Sequence, residues 1–354
     1  MDTIIEEAYK QGADAVINKA AGILQKGGLV AFPTETVYGL GANAYDKNAA
    51  KKVYEAKGRP SDNPLIVHIA GYEMLCDVAV EIPDSAHRLI DEFWPGPLTL
   101  ILSKSVRVPV EVTGGLNTVA VRFPAHKTAQ GLIRRCGFPI AAPSANASGR
   151  PSPTRASHVA YDLSGKIDMI IDGGACEIGL ESTIVQVLGD RVCILRPGSI
   201  TEDEIMSAAL GHCVGNGGGG VEGLARAPGT MYRHYSPGTE ITIVTGSDAA
   251  VANKIDELTA VDEKNGLRTG VLIADEVRHL YKNGRVISLG SRENPADAAA
   301  YLYKALRKMD FYSMDTAYAV AFEETGLGVA IMNRLKMAAD NRVIHADDDE
   351  AYIR

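Results

Sequence analysis

Cysteine is scarce in this chain of 354 residues. Its five thiols, Cys76, Cys136, Cys176, Cys193 and Cys213, are widely spaced and odd in number. No Cys-x-x-Cys occurs, which argues against a zinc ribbon or a disulfide framework and leaves scattered, mostly buried thiols as the expectation. Long apolar runs are missing too: the longest strongly apolar one is Leu98–Leu102, far short of a membrane span. The N-terminal residues Met1–Glu7 are acidic and lack the basic-then-apolar order of a signal peptide. A cytoplasmic protein without membrane contact is therefore expected. Cationic excess is also absent. Net charge is −8; residues 1–239 hold 22 Lys and Arg against 25 Asp and Glu, and residues 240–354 hold 14 against 19. Neither part is built to coat nucleic acid, although a local basic cleft stays open.

Several catalytic signatures are missing. There is no G-x-x-x-x-G-K-[ST], so any use of ATP proceeds without a P-loop. There is no G-x-S-x-G elbow, and none of the eight histidines forms an H-E-x-x-H pair. Gly215–Gly220 spells G-x-G-x-x-G by its letters alone. It lacks the preceding strand and following helix that a dinucleotide fingerprint needs.

What is present reads as two α/β regions. Length suggests about two domains, and 46% apolar with 23% charged residues is ordinary for a folded protein. Helical spacing over 5–26, stopped by Gly27-Gly28, precedes a buried strand Leu29–Phe32. A second helix covers 47–56. Strands are expected at Leu65–Ile69, Leu98–Leu102, Val119–Phe123, Met169–Ile171, Ile184–Val187 and Val192–Leu195, and helices around 84–93, 126–136 and 201–210. This mixture predicts one large mixed sheet. Residues 211–238 are rich in glycine and turn residues, yet include Tyr232, Arg233, His234 and Tyr235. Beyond 239 the alternation restarts with strands near 240–244, 269–274, 286–289 and 317–322, and helices near 248–259, 295–309 and 327–339. That pattern suggests a small doubly wound sheet.

Polar segments punctuate the first region. In Lys57-Gly58-Arg59-Pro60, an extended Lys-x-Arg would place both cations on one face, suited to a polyphosphate; a solvated basic turn is the plainer alternative. Pro33–Gly41 leaves a strand with hydroxyls, a carboxylate and glycines, fitting either a small-molecule site or a turn with a helix cap. Ala141–Ser152 is a small-residue turn where backbone can approach a ligand. Arg122 interrupts an apolar strand; once buried it needs an anion, either a ligand carboxylate or an internal Asp or Glu.

Together these segments resemble the threonylcarbamoyl-AMP synthases, in the long form with a YrdC-like catalytic domain and a smaller C-terminal domain. The resemblance is carried by PTETVYGLG (33–41), KGRPSDNPLIVH (57–68), FWPGPLTLIL (93–102), NTVAVRFP (117–124), APSANASGRPSPT (142–154), GLESTI (179–184), LRPGSI (195–200) and the linker APGTMYRHYSP (227–237). It implies a YrdC-like twisted mixed sheet with flanking helices over 1–210, a linker or lid over 211–238, and a Rossmann-like α/β domain over 239–354. It implies that L-threonine, bicarbonate or CO2, and ATP with magnesium yield threonylcarbamoyl-adenylate and pyrophosphate. A separate transferase would then take the product to tRNA, which leaves room for a weak tRNA contact. Lys57 and Arg59 would serve catalysis at the phosphates. Thr36, His68, Arg122, Ala142 and Ser182 would hold threonine. Arg59, Asn63, Thr118, Ser144, Asn146, Ser152, Arg196 and Tyr235 would hold ATP. No protein-bound metal is implied. The competing expectations are an RNA-binding translation or ribosome-assembly factor without catalysis, and a carbamoyl transferase, which would bring cysteine-rich zinc modules.

Overall fold

The computed structural model describes residues 2–8, 13–189, 191–210, 213–214, 227 and 235–347. The chain divides into two compact units, Met1–Ser148 with Ser152–Tyr232, and Gly149–Pro151 with Arg233–Arg354.

The first unit is built on a sheet of 12 strands among the described residues. In chain order they are β1 (Ile4–Glu7), β2 (Val30–Phe32), β3 (Gly39–Asn43), β4 (Ile66–His68), β5 (Ala79–Val80), β6 (Leu98–Lys104), β7 (Thr118–Arg122), β8 (Ile140–Ala141), β9 (Met169–Asp172), β10 (Thr183–Leu188), β11 (Arg191–Arg196) and β12 (Cys213–Val214). They lie in the order β1-β9-β2-β3-β8-β4-β7-β6-β10-β11-β12, with β5 beside β6. Parallel pairs such as β4 with β7 and antiparallel pairs such as β6 with β7 make the sheet mixed, as the element pattern predicted.

Alternation along the central strands separates two faces. Val67, Leu98, Leu100, Leu102, Val119, Val121 and Val185 belong to the main core, which also takes Ala49, Ala50, Val53 and Tyr54 of the helix Lys47–Lys57. The intervening positions Ile66, Ile101, Ala120 and Ile184 form a smaller apolar cluster on the other face, and Ala227 packs with them. Burying the first set against helices leaves the second face available for polar residues between its apolar ones.

One expectation fails at the N-terminus. Residues 4–7 are strand β1, paired in parallel with Met169–Asp172, and the helix among the described residues is Ala13–Gln25. Local spacing favoured a continuous helix; pairing with a strand some 165 residues away overrides it. Strand β3, with the sequence GLGAN, was not expected either, because Gly, Ala and Asn are poor strand formers.

The second unit carries a five-stranded, all-parallel sheet among the described residues: β13 (Glu240–Thr245), β14 (Thr269–Ile273), β15 (Arg285–Ser288), β16 (Thr316–Val320) and β17 (Val343–His345), ordered β15-β14-β16-β13-β17. Every residue of β14 is buried, which requires cover on both faces. Helices Asp248–Lys264, Pro295–Phe311 and Leu327–Ala338 alternate with the strands, close to the expected spans. Among the described residues no helix is long and apolar enough to cross a membrane. Cys136, Cys176 and Cys193 are buried free thiols and Cys76 is an exposed one.

Candidate active site

The site begins as a row across adjacent strands. Register places His68 of β4 opposite Arg122 of β7, Arg122 opposite Thr99 of β6, and Thr99 beside Ile184 of β10. Directly paired residues point to the same face, here the face away from the main core. The row ends at Arg196 through an irregularity. β10 and β11 shift register between Ile184 and Val185, so that Val185 faces Ile194 while Ile184 faces Arg196. The extra residue, Leu195, lets Arg196 share a face with Ile184, although Ile194 lies in the main core.

Arg122 is almost fully buried (3% exposed). Its Nε donates to the Gly96 carbonyl at 3.3 Å and its Nη1 to Thr36 Oγ1 at 2.8 Å, while Nη2 lies 2.6 Å from Glu35 Oε1. Of the two anions that the sequence left open for it, the internal carboxylate is present. A guanidinium has five N–H donors; two make hydrogen bonds here, one from Nε and one from Nη1. Nη2 meets Glu35 as an ion pair without a hydrogen bond, so one N–H of Nη1 and both of Nη2 have no hydrogen-bond acceptor among the described residues. Burial works to raise the Glu35 carboxyl, but the adjacent Arg122 charge, with a smaller effect of nearby backbone N–H groups, outweighs it and holds the group below the usual carboxylate range.

His68 is buried beside this pair, its ring edge-on to Phe32 at 6.1 Å. Its Nδ1 lies 3.2 Å from the Ile66 carbonyl. Burial, reinforced by the Arg122 charge, pushes the imidazole down to about 3, so it stays neutral near pH 7. The sign for stability follows. Above pH 6.5 the ring is neutral folded and unfolded; below that, only the unfolded chain takes up the proton, so folding is disfavoured progressively toward pH 3. Replacing His68 by Asn should therefore shrink the loss of unfolding free energy between pH 7 and pH 5 by about 2 kcal/mol. Urea titrations at the two pH values measure this, and an unchanged loss would show that the ring is not held neutral.

Ser182 stands just before β10. Its Oγ is 2.7 Å from Thr99 Oγ1, and Arg196 donates to its carbonyl from Nη2 at 2.9 Å and to its Oγ at 3.3 Å. Gly198 makes this approach possible: a Cβ there would come within 2.4 Å of the Thr183 nitrogen and 2.7 Å of the Ser182 carbonyl carbon. The segment before Ser182 is tied to the Thr36 loop by two backbone bonds, Ile178 N to Glu35 O at 2.9 Å and Gly179 N to Thr36 O at 3.1 Å. Thr36, His68, Arg122 and Ser182 are thus drawn toward one place from four chain segments. Ala142, buried after β8, donates its N–H to the Ile66 carbonyl at 2.8 Å.

The cations of the Lys-x-Arg segment are arranged differently from the expectation. Lys57 is the last residue of its helix, and Gly58 caps it in the left-handed region at φ 63°. The stretch is therefore a helix C-terminus, not an extended strand with both side chains on one face. Lys57 is 4% exposed, so the solvated basic turn is wrong as well. Its ammonium donates to the carbonyls of Ser144 and Asn146, and Ser144 Oγ donates to Asn146 Oδ1 at 2.6 Å. Arg59, half-buried, donates from Nη2 to Asn63 Oδ1 at 2.5 Å and to the Pro64 carbonyl at 3.1 Å.

Ser152 is fully buried and donates to the buried carboxylate of Glu181. Thr118 opens β7, two and four residues from Ala120 and Arg122, and so shares their face. Tyr235 belongs to the second unit, buried at φ 63°, with its ring 5.3 Å from that of Tyr303 and the Arg334 guanidinium 5.6 Å from its centroid. Tyr232, Arg233, His234 and Gly215–Gly220 lie outside the described residues. Glu35, Thr99 and Glu181 were not singled out from the sequence as site residues. A carboxylate inside PTETVYGLG and another inside GLESTI were the available signals.

Known proteins resemble this chain over most of its length. A family profile described as telomere recombination (Sua5, YciO and YrdC proteins) matches residues 22–198, and one described as the threonylcarbamoyl-AMP synthase C-terminal domain matches 200–340. A curated threonylcarbamoyl-AMP synthase of Pyrococcus abyssi is 48% identical over 351 residues, covering 97% of this chain and 99% of that protein. One of Bacillus subtilis is 48% identical over 332 residues, covering 94% and 95%. The crystal structure of P. abyssi Sua5 complexed with L-threonine matches with a TM-score of 0.90 at 48% identity, covering 97% of this chain and 99% of that one. These relatives do not favour an RNA-binding factor without catalysis. With its mixed α/β sheet, its second parallel sheet and near full-length identity to enzymes of one activity, the chain belongs to the threonylcarbamoyl-AMP synthase family.

Proposed function

We propose that this enzyme joins L-threonine, CO2 (supplied as bicarbonate) and ATP into threonylcarbamoyl-adenylate and pyrophosphate. The neutral threonine amine adds to CO2 and loses a proton, giving a carbamate. A carbamate oxygen then attacks the α-phosphorus of ATP, and the bond from that phosphorus to the oxygen bridging to the β-phosphate breaks. Two anions must approach each other, so the site's task is positive charge and orientation rather than a covalent nucleophile.

The observation that carries this reading is Arg122. It is a buried cation with donors left over after Glu35, Thr36 and Gly96, beside a neutral imidazole and two hydroxyls. An amino acid's carboxylate satisfies those donors. In this assignment Thr36, His68, Arg122, Ala142 and Ser182 hold threonine. Arg59, Asn63, Thr118, Ser144, Asn146, Ser152, Arg196 and Tyr235 hold ATP. Lys57 serves the phosphates by fixing the Ser144–Asn146 turn. Magnesium enters as the ion that accompanies ATP; among the described residues no group of three His, Cys, Asp or Glu is placed to hold a metal.

Residues 1–210 form the catalytic domain in this reading, 239–354 the accessory one, and 211–238 a lid that keeps water from the carbamate and adenylate. Burial of Ala227 with Ile66, Ile101, Ala120 and Ile184, on the face that carries Arg122, supports the lid. The product passes in the cytoplasm to a separate tRNA-modifying transferase. Mass spectrometry of the products from threonine, bicarbonate and ATP tests the reaction. The adenylate is expected only when all three are present; its formation without threonine, or its absence from the full mixture, overturns the proposal.

A further inference from the structure

The buried carboxylate of Glu35 has no role in the reaction as written. It is 7% exposed, ion-paired to Arg122, and carried on a loop with little freedom. Thr34 Oγ1 accepts from the Thr36 and Val37 N–H groups, both at 3.2 Å, and the Glu35 and Thr36 carbonyls accept from Ile178 and Gly179. Arg122 is thereby held by hydrogen bonds to Gly96 at Nε and Thr36 at Nη1, and by the ion pair of Nη2 with Glu35. Two of these three come from adjacent residues of one loop. A guanidinium fixed in this way can offer its remaining N–H bonds in only one direction.

We infer that Glu35 is a positioning residue for the amino-acid substrate: by pairing with Nη2 it sets the plane of the Arg122 guanidinium, so that the free N–H bonds meet the substrate carboxylate. The inference rests on the assignment of Arg122 to that carboxylate. Glu35 itself does not touch the reacting atoms. Its negative charge also offsets Arg122, so the arriving carboxylate is chosen by geometry as well as by charge. The carboxylate remains ionised at neutral pH, because Arg122 and the backbone donors hold it low against the effect of burial.

The test is steady-state kinetics of pyrophosphate release on the full chain, varying threonine and ATP separately. Glu35→Gln keeps the volume and removes the charge. It should raise the threonine KM about tenfold or more and leave the ATP KM and the rate at saturating threonine within about twofold. Glu35→Asp, which keeps the charge on a shorter stem, should raise the threonine KM by a smaller factor, about threefold. Threonine amide, which lacks the carboxylate, should compete with threonine far more weakly in the wild type, and this discrimination should fall toward none in Glu35→Gln. Arg122→Gln combined with Glu35→Gln should be no worse for threonine than Arg122→Gln alone, since both act through one contact. An unchanged threonine KM in Glu35→Gln, equal rises in both KM values, or additive effects in the double variant would overturn the inference. Should Glu35→Gln fail to fold, Glu35→Asp decides: a threonine KM equal to wild type overturns it. If Arg122→Gln raises the threonine KM and Glu35→Gln does not, only Glu35's role falls. If Arg122→Gln leaves it unchanged, the assignment of Arg122 falls as well.

Discussion

Arg122→Ala should raise the threonine KM about 100-fold, with the ATP KM nearly unchanged. Hydrogen bonds to a charged group contribute about 1.5–3 kcal/mol, and a tenfold change corresponds to about 1.4 kcal/mol. A carboxylate losing its cation therefore falls in this range. The folded state should suffer too. Removing one partner of a buried pair typically costs about 3–5 kcal/mol, because Glu35 would keep a buried charge. That loss has a definite pH signature. Without Arg122, burial, the largest influence on Glu35, is opposed only by the smaller effect of backbone N–H groups and pushes its carboxyl upward. A carboxyl with a raised pKa is tolerated when protonated, so the variant's deficit should shrink as pH falls. Thermal denaturation at pH 8 and pH 5 measures this, alongside the two KM values. Equal losses for threonine and ATP would contradict the assignment.

Lys57→Ala should slow pyrophosphate release by about 100-fold or more, and it should also lower stability. The second effect comes from burial. The ammonium bonds two carbonyls, of Ser144 and Asn146, in a place that is 4% exposed. Each buried carbonyl left without a donor costs about 1–3 kcal/mol. The turn that holds Ser144 and Asn146 would lose its anchor on the helix Lys47–Lys57. Arg59→Ala should slow the same step but cost the fold less, since Arg59 is half-buried and bonds Asn63 and Pro64 of its own loop. Melting temperatures and pyrophosphate release for the two variants separate the roles. A Lys57→Ala enzyme with wild-type rate and melting temperature would show that the turn needs no such anchor.

The sequence motifs were legible because they are local. A polar turn leaving an apolar strand declares itself in a few letters, and PTETVYGLG, APSANASGRPSPT and GLESTI all lie in or beside the candidate site. Arg122 could be singled out because an arginine between valines and phenylalanine conflicts with its surroundings. Its partner could not be chosen, because 87 positions separate it from Glu35 in the sequence and both an internal and an external anion satisfied the same rule. Lys57 and Arg59 were misread in geometry because Gly58 allowed two conformations. An extended reading and a left-handed helix cap are both open to glycine, and the second is the one adopted. The strand at Ile4–Glu7 was lost to a helix because its partner lies at Met169–Asp172. Nothing in the local pattern signalled that Leu195 would shift register and turn Arg196.

Ser182 has a consequence for changing what the enzyme accepts. Its hydroxyl contacts Thr99 on one side and Arg196 on the other, and in the proposed assignment Arg196 serves the nucleotide. Enlarging the amino-acid pocket at Ser182 would therefore disturb nucleotide affinity as well. A redesign toward other amino acids should start instead from Ala142, whose methyl offers no polar contact to lose.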